Sequence, residues 1–574
     1  MQRLELTWIG KNEVQCIEPR ILLHDASNDY GDKNTENMLI HGDNLIALKA
    51  LEQNFAGKIK CIYIDPPYNT GSAFEHYDDN LEHSKWLNLM YKRLVILKQL
   101  LSENGAICVQ IDAVEMAYLK VLMDEIFSRQ NFINIISVKT KIAGVSGSNM
   151  GKSLQDSIEY ILLYARDKKQ LQLNSIYKRQ KLFSRIKSYE LEGKSWKYTS
   201  ILSKLDGKIL LKEDIDRNMK YYGYSVSETM SITTFAKANN LTEEQVYNKY
   251  ASRIFQTTNA QSSIRQTVLK ETDNFDYPMI GLEYLPSKGK NKGKKTEILY
   301  KGGQRRMMMF LSDSLEYYNK EYIYLDKINT LWDDIQYNNL TKEGNVKFPN
   351  GKKPEALIGR VIELLSSSGD YVLDSFLGSG TTTAAAQKLH RKWIGIEFGE
   401  QCYTHCIPRL NSVIDGTDRG GITQSTNWSG GGGYKFYELA PTLILKDEHG
   451  NPIFSNKYKP EMIVAAVVKL NGYNYAPSSK EFWKQGYGSD NSYIFVTTQF
   501  FAGDMLDSIA KDVGALSRLL ICAPAFEVGL NKRYDNIDVK KIPQTILDKC
   551  EYGVADYNLN IIDPPEYDED DNDE

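Results

Sequence analysis

A chain of 574 residues is too long for one hydrophobic core and implies about three or four domains. Its 42% hydrophobic and 25% charged residues are those of an ordinary globular protein; no apolar run approaches the ~18 residues of a membrane span, and the opening MQRLELTWIGKNEVQ lacks the apolar core of a secretory signal, so a cytoplasmic location is expected. The net charge of −4 conceals a basic middle, with 31 Lys and Arg against 17 Asp and Glu over residues 139–306, which suits a polyanion partner bound by one region as well as it suits a solvated face.

In chain order, residues 36–42 read as a short strand and Asp43 to Asn54 as an amphipathic helix. The continuous apolar run 59–65 is a strand of a parallel sheet covered on both faces. A helix over 84–103, ended by Asn104-Gly105, leads to a second buried strand at 106–112, then a helix over 113–127 and a strand near 132–138. Such alternation predicts a doubly wound α/β sheet. Residues 139–330 are then basic, tyrosine-rich and irregular, apart from a strand at 157–165 that belongs with the first sheet. Alternation resumes with a helix at 354–366, a strand at 371–376, a helix at 380–390, a strand at 393–398 and a helix at 400–413. Each α/β segment is too short for a complete sheet, so the two are expected to build one between them, with the basic region as an insertion. A glycine-rich connector, 415–434, precedes a smaller mixed α/β domain with strands near 436–445 and 493–499 and a helix near 460–470. The last residues, Tyr567 to Glu574, are almost purely acidic and expected to be disordered.

The seven cysteines are scattered and odd in number, as expected of reduced thiols. Cys402, His405 and Cys406 crowd one stretch, but no second cluster supplies the remaining ligands of a zinc site, so no metal is expected.

Four motifs carry chemistry. Asp65-Pro66-Pro67-Tyr68 ends a predicted strand, where open α/β sheets bind ligands. An aromatic amine is a poor nucleophile because its lone pair is delocalised into the ring. A carboxylate (Asp65) and a backbone carbonyl (Pro66) that accept its two N–H bonds favour a more tetrahedral nitrogen whose lone pair can meet an electrophilic methyl. The two prolines fix the direction of that carbonyl, and Tyr68 offers a ring for an unstacked base. The second copy of the letters, Asp563-Pro564-Pro565-Glu566, lies before the acidic tail and reads as a turn. Asp374-Ser375-Phe376-Leu377-Gly378-Ser379-Gly380-Thr381-Thr382 ends a strand and opens a helix, with glycines that let the backbone approach a ligand and a helix N-terminus that attracts a carboxylate. Glu397 ends the next strand, where an acid can accept from both ribose hydroxyls of an adenosyl group. Asp43, at the end of the strand before that of Asp65, is either a helix N-cap or a residue facing the adenine of the same cofactor.

On these residues the chain resembles the amino-methyltransferases of DNA. Asp-Pro-Pro-Tyr precedes Phe-x-Gly-x-Gly with a long insertion between them, the permuted order of the beta class, and Asp at position 65 resembles the adenine-specific members more than the cytosine-N4 members, which usually carry Ser there. Lys352-Lys353-Pro354-Glu355 resembles the family motif beside the cofactor, which adds Lys353 to the cofactor residues. Asn329-Thr330-Leu331-Trp332-Asp333-Asp334-Ile335, Asp418-Arg419-Gly420-Gly421-Ile422 and Tyr437-Glu438-Leu439-Ala440-Pro441 are similar to the modification (Mod) subunits of type III restriction–modification systems. The catalytic resemblance covers residues 36–165 and 330–413, and the subtype resemblance runs through about 445.

The resemblance implies a Rossmann-like methyltransferase sheet assembled from two segments. It implies S-adenosyl-L-methionine held by Asp43, Lys353, Asp374, Phe376, Gly378, Gly380, Thr381 and Glu397, and a flipped adenine of double-stranded DNA methylated at N6 by Asp65, Pro66, Pro67 and Tyr68, without metal. It further implies a Mod homodimer, with or without a restriction (Res) helicase–nuclease partner. The expected division is an N-terminal extension (1–35), a catalytic half (36–165), a target-recognition insertion (166–330), a cofactor half (331–414), the linker (415–434), a C-terminal domain for dimer or partner contacts (435–566) and the tail (567–574). Competing readings are cytosine-N4 methylation, RNA as substrate, a catalytically silent DNA-binding protein, and a nicotinamide-dependent oxidoreductase. The last lacks its third glycine, since position 383 is Thr, and leaves Asp-Pro-Pro-Tyr unexplained.

Overall fold

The computed structural model describes residues 5–11, 20–68, 79–140, 156–259, 262–286, 292–318, 321–338, 340–348, 352–446, 452–455, 458–489 and 491–542. The acidic tail, the Asp563-Pro564-Pro565 turn, Cys16, Cys550 and the lysine-rich segment 287–291 lie outside the described residues. The chain divides into two compact units: Met1–Ser175 with Asn329–Glu574, and Ile176–Ile328.

The first unit is built on an eleven-stranded sheet. Its first segment contributes β1 (Leu22–His24), β2 (Tyr30–Gly31), β3 (Met38–His41), α1 (Asn44–Phe55), β4 (Ile59–Ile64), α2 (Asp79–Leu100), β5 (Leu101–Ile111), α3 (Met116–Met123), β6 (Phe132–Lys139) and β7 (Ile158–Ala165). The second contributes β8 (Leu331–Trp332), α4 (Glu355–Leu365), β9 (Tyr371–Asp374), α5 (Thr381–Lys388), β10 (Lys392–Glu397), α6 (Ile407–Ile414) and β11 (Gly433–Leu439). The strand order is β1-β11-β3-β10-β9-β4-β5-β7-β6-β8, with β2 also paired to β11. The two segments interleave: β9 lies parallel to β4, with Leu373 beside Ile62, and β10 lies parallel to β3. One apolar core draws on both, including Ile62, Leu94, Leu373, Ile394 and Ile396, all fully buried. This interior, continuous on both faces, is why β4 and β10 read as unbroken apolar runs.

From β9 the chain crosses through α5 to β10 on one side. From β4 it crosses through α2 to β5 on the other side. Neighbouring strands that send the chain in opposite directions leave a crevice beyond their carboxyl ends, where ligands of open α/β sheets bind. Asp65 and Asp374 stand at that crevice.

Several local expectations are corrected. The helix read as 84–103 ends at Leu100, and the strand begins at Leu101, because buried Leu101 pairs with Ile59 and residues 102–105 bulge out before Ala106 pairs with Cys61. The start of the stretch 436–445 assigned to the C-terminal domain, residues 436–439, belongs to the main sheet, while Ile444–Lys446 pairs with Pro452–Phe454. Residues 433–439 form β11 parallel to β3, and the N-terminal extension joins them through β1 and β2. Phe436 and Tyr434 are fully buried there, so the sheet cannot close without them. The connector 415–434 is also packed rather than a bare tether: a Cβ on Gly420 would lie 2.2 Å from the Lys342 carbonyl, and one on Gly421 2.0 Å from the Glu355 carboxylate. Glycine is required there by close approach.

Beyond β11, the strands Ser492–Val496, Arg518–Ala523 and Ile537–Lys541 run parallel, extended by the short antiparallel strands Asn474–Tyr475 and Gly486–Tyr487, with helices at Pro460–Leu470 and Gly503–Val513. The second unit is not irregular. Six strands, Ser200–Asp214, Met219–Ser231, Ile254–Thr258, Met279–Tyr284, Thr296–Lys301 and Arg306–Phe310, close into a barrel. The barrel interior is filled by Leu202, Tyr224, Phe255, Met279, Leu299 and Met308, one from each strand, while Tyr221, Ile280, Leu282 and Tyr300 are buried on the outer face against Val268 of the helix Ser263–Glu271. Burial on both faces, as along Met279–Leu282, removes the alternation from these strands.

Candidate active site

β4 stops where the chain runs out of backbone donors, because Pro66 and Pro67 cannot continue a ladder. The loop is pinned by Trp86 Nε1, which donates to the Pro67 carbonyl at 2.7 Å. Tyr68 folds back so that its hydroxyl donates towards Asp65 Oδ1 (2.7 Å) and stands 2.9 Å from Glu159 Oε2, a residue of β7. Lys353 Nζ, just before α4, completes the cluster, 2.9 Å from the Tyr68 hydroxyl, 3.1 Å from Asp65 Oδ2 and 3.4 Å from Glu159. Burial raises the Asp65 carboxyl above the ordinary value for an aspartate, against the lowering effects of Lys353 and Tyr68. Burial opposes the charge on Lys353, but the Asp65 and Glu159 carboxylates outweigh it and hold the ammonium above its ordinary value.

At the end of β9, the Asp374 carboxylate accepts from Phe376 N (2.9 Å) and Thr382 Oγ1 (2.5 Å), closing the turn onto the first residues of α5. Burial pushes this carboxyl up to about 7, although both hydrogen bonds pull the other way. Gly378 has φ +56, and a Cβ there would meet nothing within 4 Å, so its backbone faces open space. Its N–H donates to Glu397 Oε2 at 2.6 Å, and Glu397 Oε1 accepts from Gly399 N (3.0 Å) and Gln401 Nε2 (2.8 Å). Burial holds Glu397 above the usual glutamate value despite these donors.

These groups line one cavity of about 420 Å³. Asp65, Pro66, Pro67, Tyr68, Lys353, Asp374, Phe376, Gly378, Thr381 and Glu397 all face it, although its two halves are some three hundred positions apart in sequence. Two predicted residues do not. Asp43 is the N-cap of α1, its Oδ1 accepting from Leu45 N (2.8 Å) and Ile46 N (3.2 Å). Gly380, at φ +78, begins α5 against Cys406, whose Cα would stand 3.4 Å from an added Cβ; it serves the turn and its packing.

Sequence reasoning missed Glu159 and Gln401. Glu159 sits in an antiparallel strand with no motif around it. Gln401, four residues after Glu397, carried a usable signal, since that spacing returns a side chain to the strand end across a short turn. It also missed a buried ionic network under the glycine turn. Arg409 of α6 donates to Thr381 Oγ1 (2.8 Å), the Ser379 carbonyl (3.3 Å) and Glu355 Oε1 (2.8 Å). Lys388 of α5 bridges Glu355 Oε2 (2.6 Å) and Asp418 Oδ2 (2.5 Å). All four of these charged residues are fully buried.

A family model described as "DNA methylase" matches residues 59–407, which takes in both halves of the cavity. The chain belongs to this DNA methylase family. Within and around the DNA methylase region, the chain is 50% identical over 407 residues to the probable type III restriction-modification enzyme HindVI Mod subunit of Haemophilus influenzae, covering 71% of this chain and 54% of that one. It is 27% identical over 438 residues to the EcoPI Mod subunit of Escherichia phage P1, covering 67% and 61%, and 27% identical over 370 residues to the type II methyltransferase M.EcaI of Enterobacter cloacae, covering 63% and 66%. The chain thus spans between about half and two thirds of the length of these relatives. No helix among the described residues is long and apolar enough to cross a membrane.

Proposed function

We propose that this chain is the modification subunit of a type III restriction–modification system, a cytoplasmic enzyme that transfers the methyl of S-adenosyl-L-methionine to N6 of adenine in double-stranded DNA. The single observation that carries the reading is the meeting of the Asp65-Pro66-Pro67-Tyr68 loop with the Gly378 turn and Glu397 in one cavity. The cofactor's fit rests on Gly378, where the backbone opens onto space that any side chain would fill, and on a buried acid, Glu397, beside it. When bound, the sulfonium supplies an electrophilic methyl.

Glu397 is positioned to accept from the ribose hydroxyls, and Asp374, Phe376, Thr381 and Lys353 complete the cofactor side. The target adenine is flipped from the duplex at a cost of a few kcal/mol. Tyr68 supplies the ring on which the base lies, and Asp65 and the Pro66 carbonyl accept the two amino hydrogens, which concentrates the lone pair on N6. Glu397 and Asp65 thus hold opposite ends of one transfer, and no covalent enzyme intermediate is needed. The basic barrel unit is assigned to grip phosphates and read bases. A Mod homodimer and a Res helicase–nuclease are the assigned partners, on the Mod subunits to which the chain is similar.

The test is Asp65→Ala. Methyl transfer to DNA is expected to vanish while affinity for S-adenosyl-L-methionine, measured by calorimetry, stays within about twofold of wild type, a difference of under ~0.5 kcal/mol. Undiminished methylation by this variant would refute the assignment.

A further inference from the structure

The Tyr68 hydroxyl and the Lys353 ammonium already engage the carboxylate that accepts the substrate amine. Asp65 Oδ1 is bonded by the Tyr68 hydroxyl at 2.7 Å and Oδ2 by Lys353 Nζ at 3.1 Å, so a target amine competes with the chain's own donors for it. A displaced buried ammonium needs another anion within reach, since an unpaired charge there costs several kcal/mol. Glu159 is that anion. It already stands 2.9 Å from the Tyr68 hydroxyl and 3.4 Å from Lys353, and its orientation is fixed by Gln110, whose Nε2 donates to Glu159 Oε2 while its Oε1 accepts from the Tyr63 hydroxyl at 2.5 Å. The Tyr68 hydroxyl has one proton and two carboxylates at hydrogen-bond distance, so it can serve either.

Resting on the reading of the site given above, we propose that Glu159 is a positioning residue for methyl transfer: it takes over Lys353 as the target amine displaces it from Asp65, while the Tyr68 hydroxyl stays between the two carboxylates, and it shares with Asp65 the proton that the methylated nitrogen sheds. The step balances. The nitrogen lone pair forms the N–C bond, the C–S bond breaks with its electrons left on sulfur, and the sulfonium becomes a neutral thioether. One N–H proton passes to the Asp65 carboxylate. It passes onward when Tyr68 takes a proton from Asp65 and gives its own to Glu159. Two carboxylates and one ammonium carry one net negative charge before the reaction. The proton brings the cluster to neutrality as the sulfonium loses its positive charge, so no buried charge is left unpaired. The other titratable groups acting on the pair are Tyr63 and Tyr337, phenols that burial keeps protonated, with Asp112 acting on Glu159 and Asp374 on Asp65.

The experiment compares wild type, Glu159→Gln and Glu159→Asp in single-turnover methylation of unmethylated plasmid DNA across pH 5.5 to 9, alongside cofactor affinity by calorimetry and Asp65→Ala as a parallel control. E159Q is expected to lower the plateau rate about 10²-fold, the scale of lost proton-transfer assistance. It should also move the acid limb to lower pH, because Asp65 loses a neighbouring negative charge. Cofactor affinity should hold, and E159D should recover most of the rate. A plateau and acid limb equal to wild type, with D65A inactive, overturn the role of Glu159 alone; an active D65A overturns the site itself. A second readout needs no variant. With wild-type protein in weak buffer, a pH indicator should show proton release lagging methyl transfer, and release coincident with transfer overturns the proposal even where E159Q fails to fold.

Discussion

Removing the ammonium of Lys388 tests whether the buried ionic network supports the cofactor turn. In Lys388→Met the aliphatic stem still packs, but two carboxylates lose a partner at 2.6 and 2.5 Å, and the Gly420 carbonyl loses a donor at 3.3 Å. Glu355 keeps Arg409 and the Ile422 N–H, and Asp418 keeps the N–H groups of Gly344 and Gly420, so neither acid is abandoned, yet the network gains an uncompensated negative charge. Breaking a buried pair from one side costs about 3–5 kcal/mol. At ~2.1 cal/mol/K per residue a unit of about 420 residues shifts by ~1 °C per kcal/mol, so the transition of the first unit should fall by about 3–6 °C. Thermal unfolding followed by calorimetry and tryptophan fluorescence reads this directly. Adding Asp418→Asn removes the surplus charge and should recover a substantial part of the loss, because the two sites share one interaction. A fall under about 1 °C, less than ~1 kcal/mol on the same scale, or a double variant less stable than K388M, refutes the reasoning.

Two further outcomes follow from the turn itself. Gly378→Ala should cost the fold only about 1 kcal/mol for a left-handed residue, but its methyl enters the cavity; overpacking of ~1–3 kcal/mol weakens cofactor affinity about 10- to 100-fold, read by calorimetry, and unchanged affinity would place the cofactor elsewhere. Asp374, pushed up to about 7, keeps its proton in the folded chain over a range where the unfolded chain has lost it. Its contribution to stability is therefore present at low pH and declines as pH rises from about 4 towards 7. Affinity for the cationic cofactor should rise over the upper part of that window as the carboxylate ionises. Asp374→Asn should flatten both profiles, and a variant that keeps the wild-type pH dependence contradicts the assignment to Asp374.

The reaction centre was legible because its chemistry sits at strand ends. Asp65, Asp374 and Glu397 each close an apolar run, and the runs themselves announce a sheet covered on both faces. The union of the two halves could also be read, since neither segment had strands enough alone. Glu159 was not legible, because its meaning lies in Lys353 and Tyr68, residues brought to it only by the fold. The same holds for Glu355, Lys388, Arg409 and Asp418, which stand on separate elements and look like surface charges until the structure buries them. Asp43 reads in the sequence either as a helix cap or as a cofactor contact, and in the structure its Oδ1 caps the next helix. The barrel of the second unit escaped notice because strands such as Met279–Tyr284 are apolar on both faces, one filling the barrel and the other packed under the helix Ser263–Glu271, which leaves no period of two to read.

The most direct measurement of the central claim is nucleoside analysis after transfer of labelled methyl. Wild-type protein is incubated with S-adenosyl-L-[methyl-³H]methionine and unmethylated duplex DNA, the DNA is digested to nucleosides, and the label is located by chromatography. Label in N6-methyladenine, and its absence with Asp65→Ala, is the predicted result. Label in N4-methylcytosine, or none in DNA despite bound cofactor, would contradict the account.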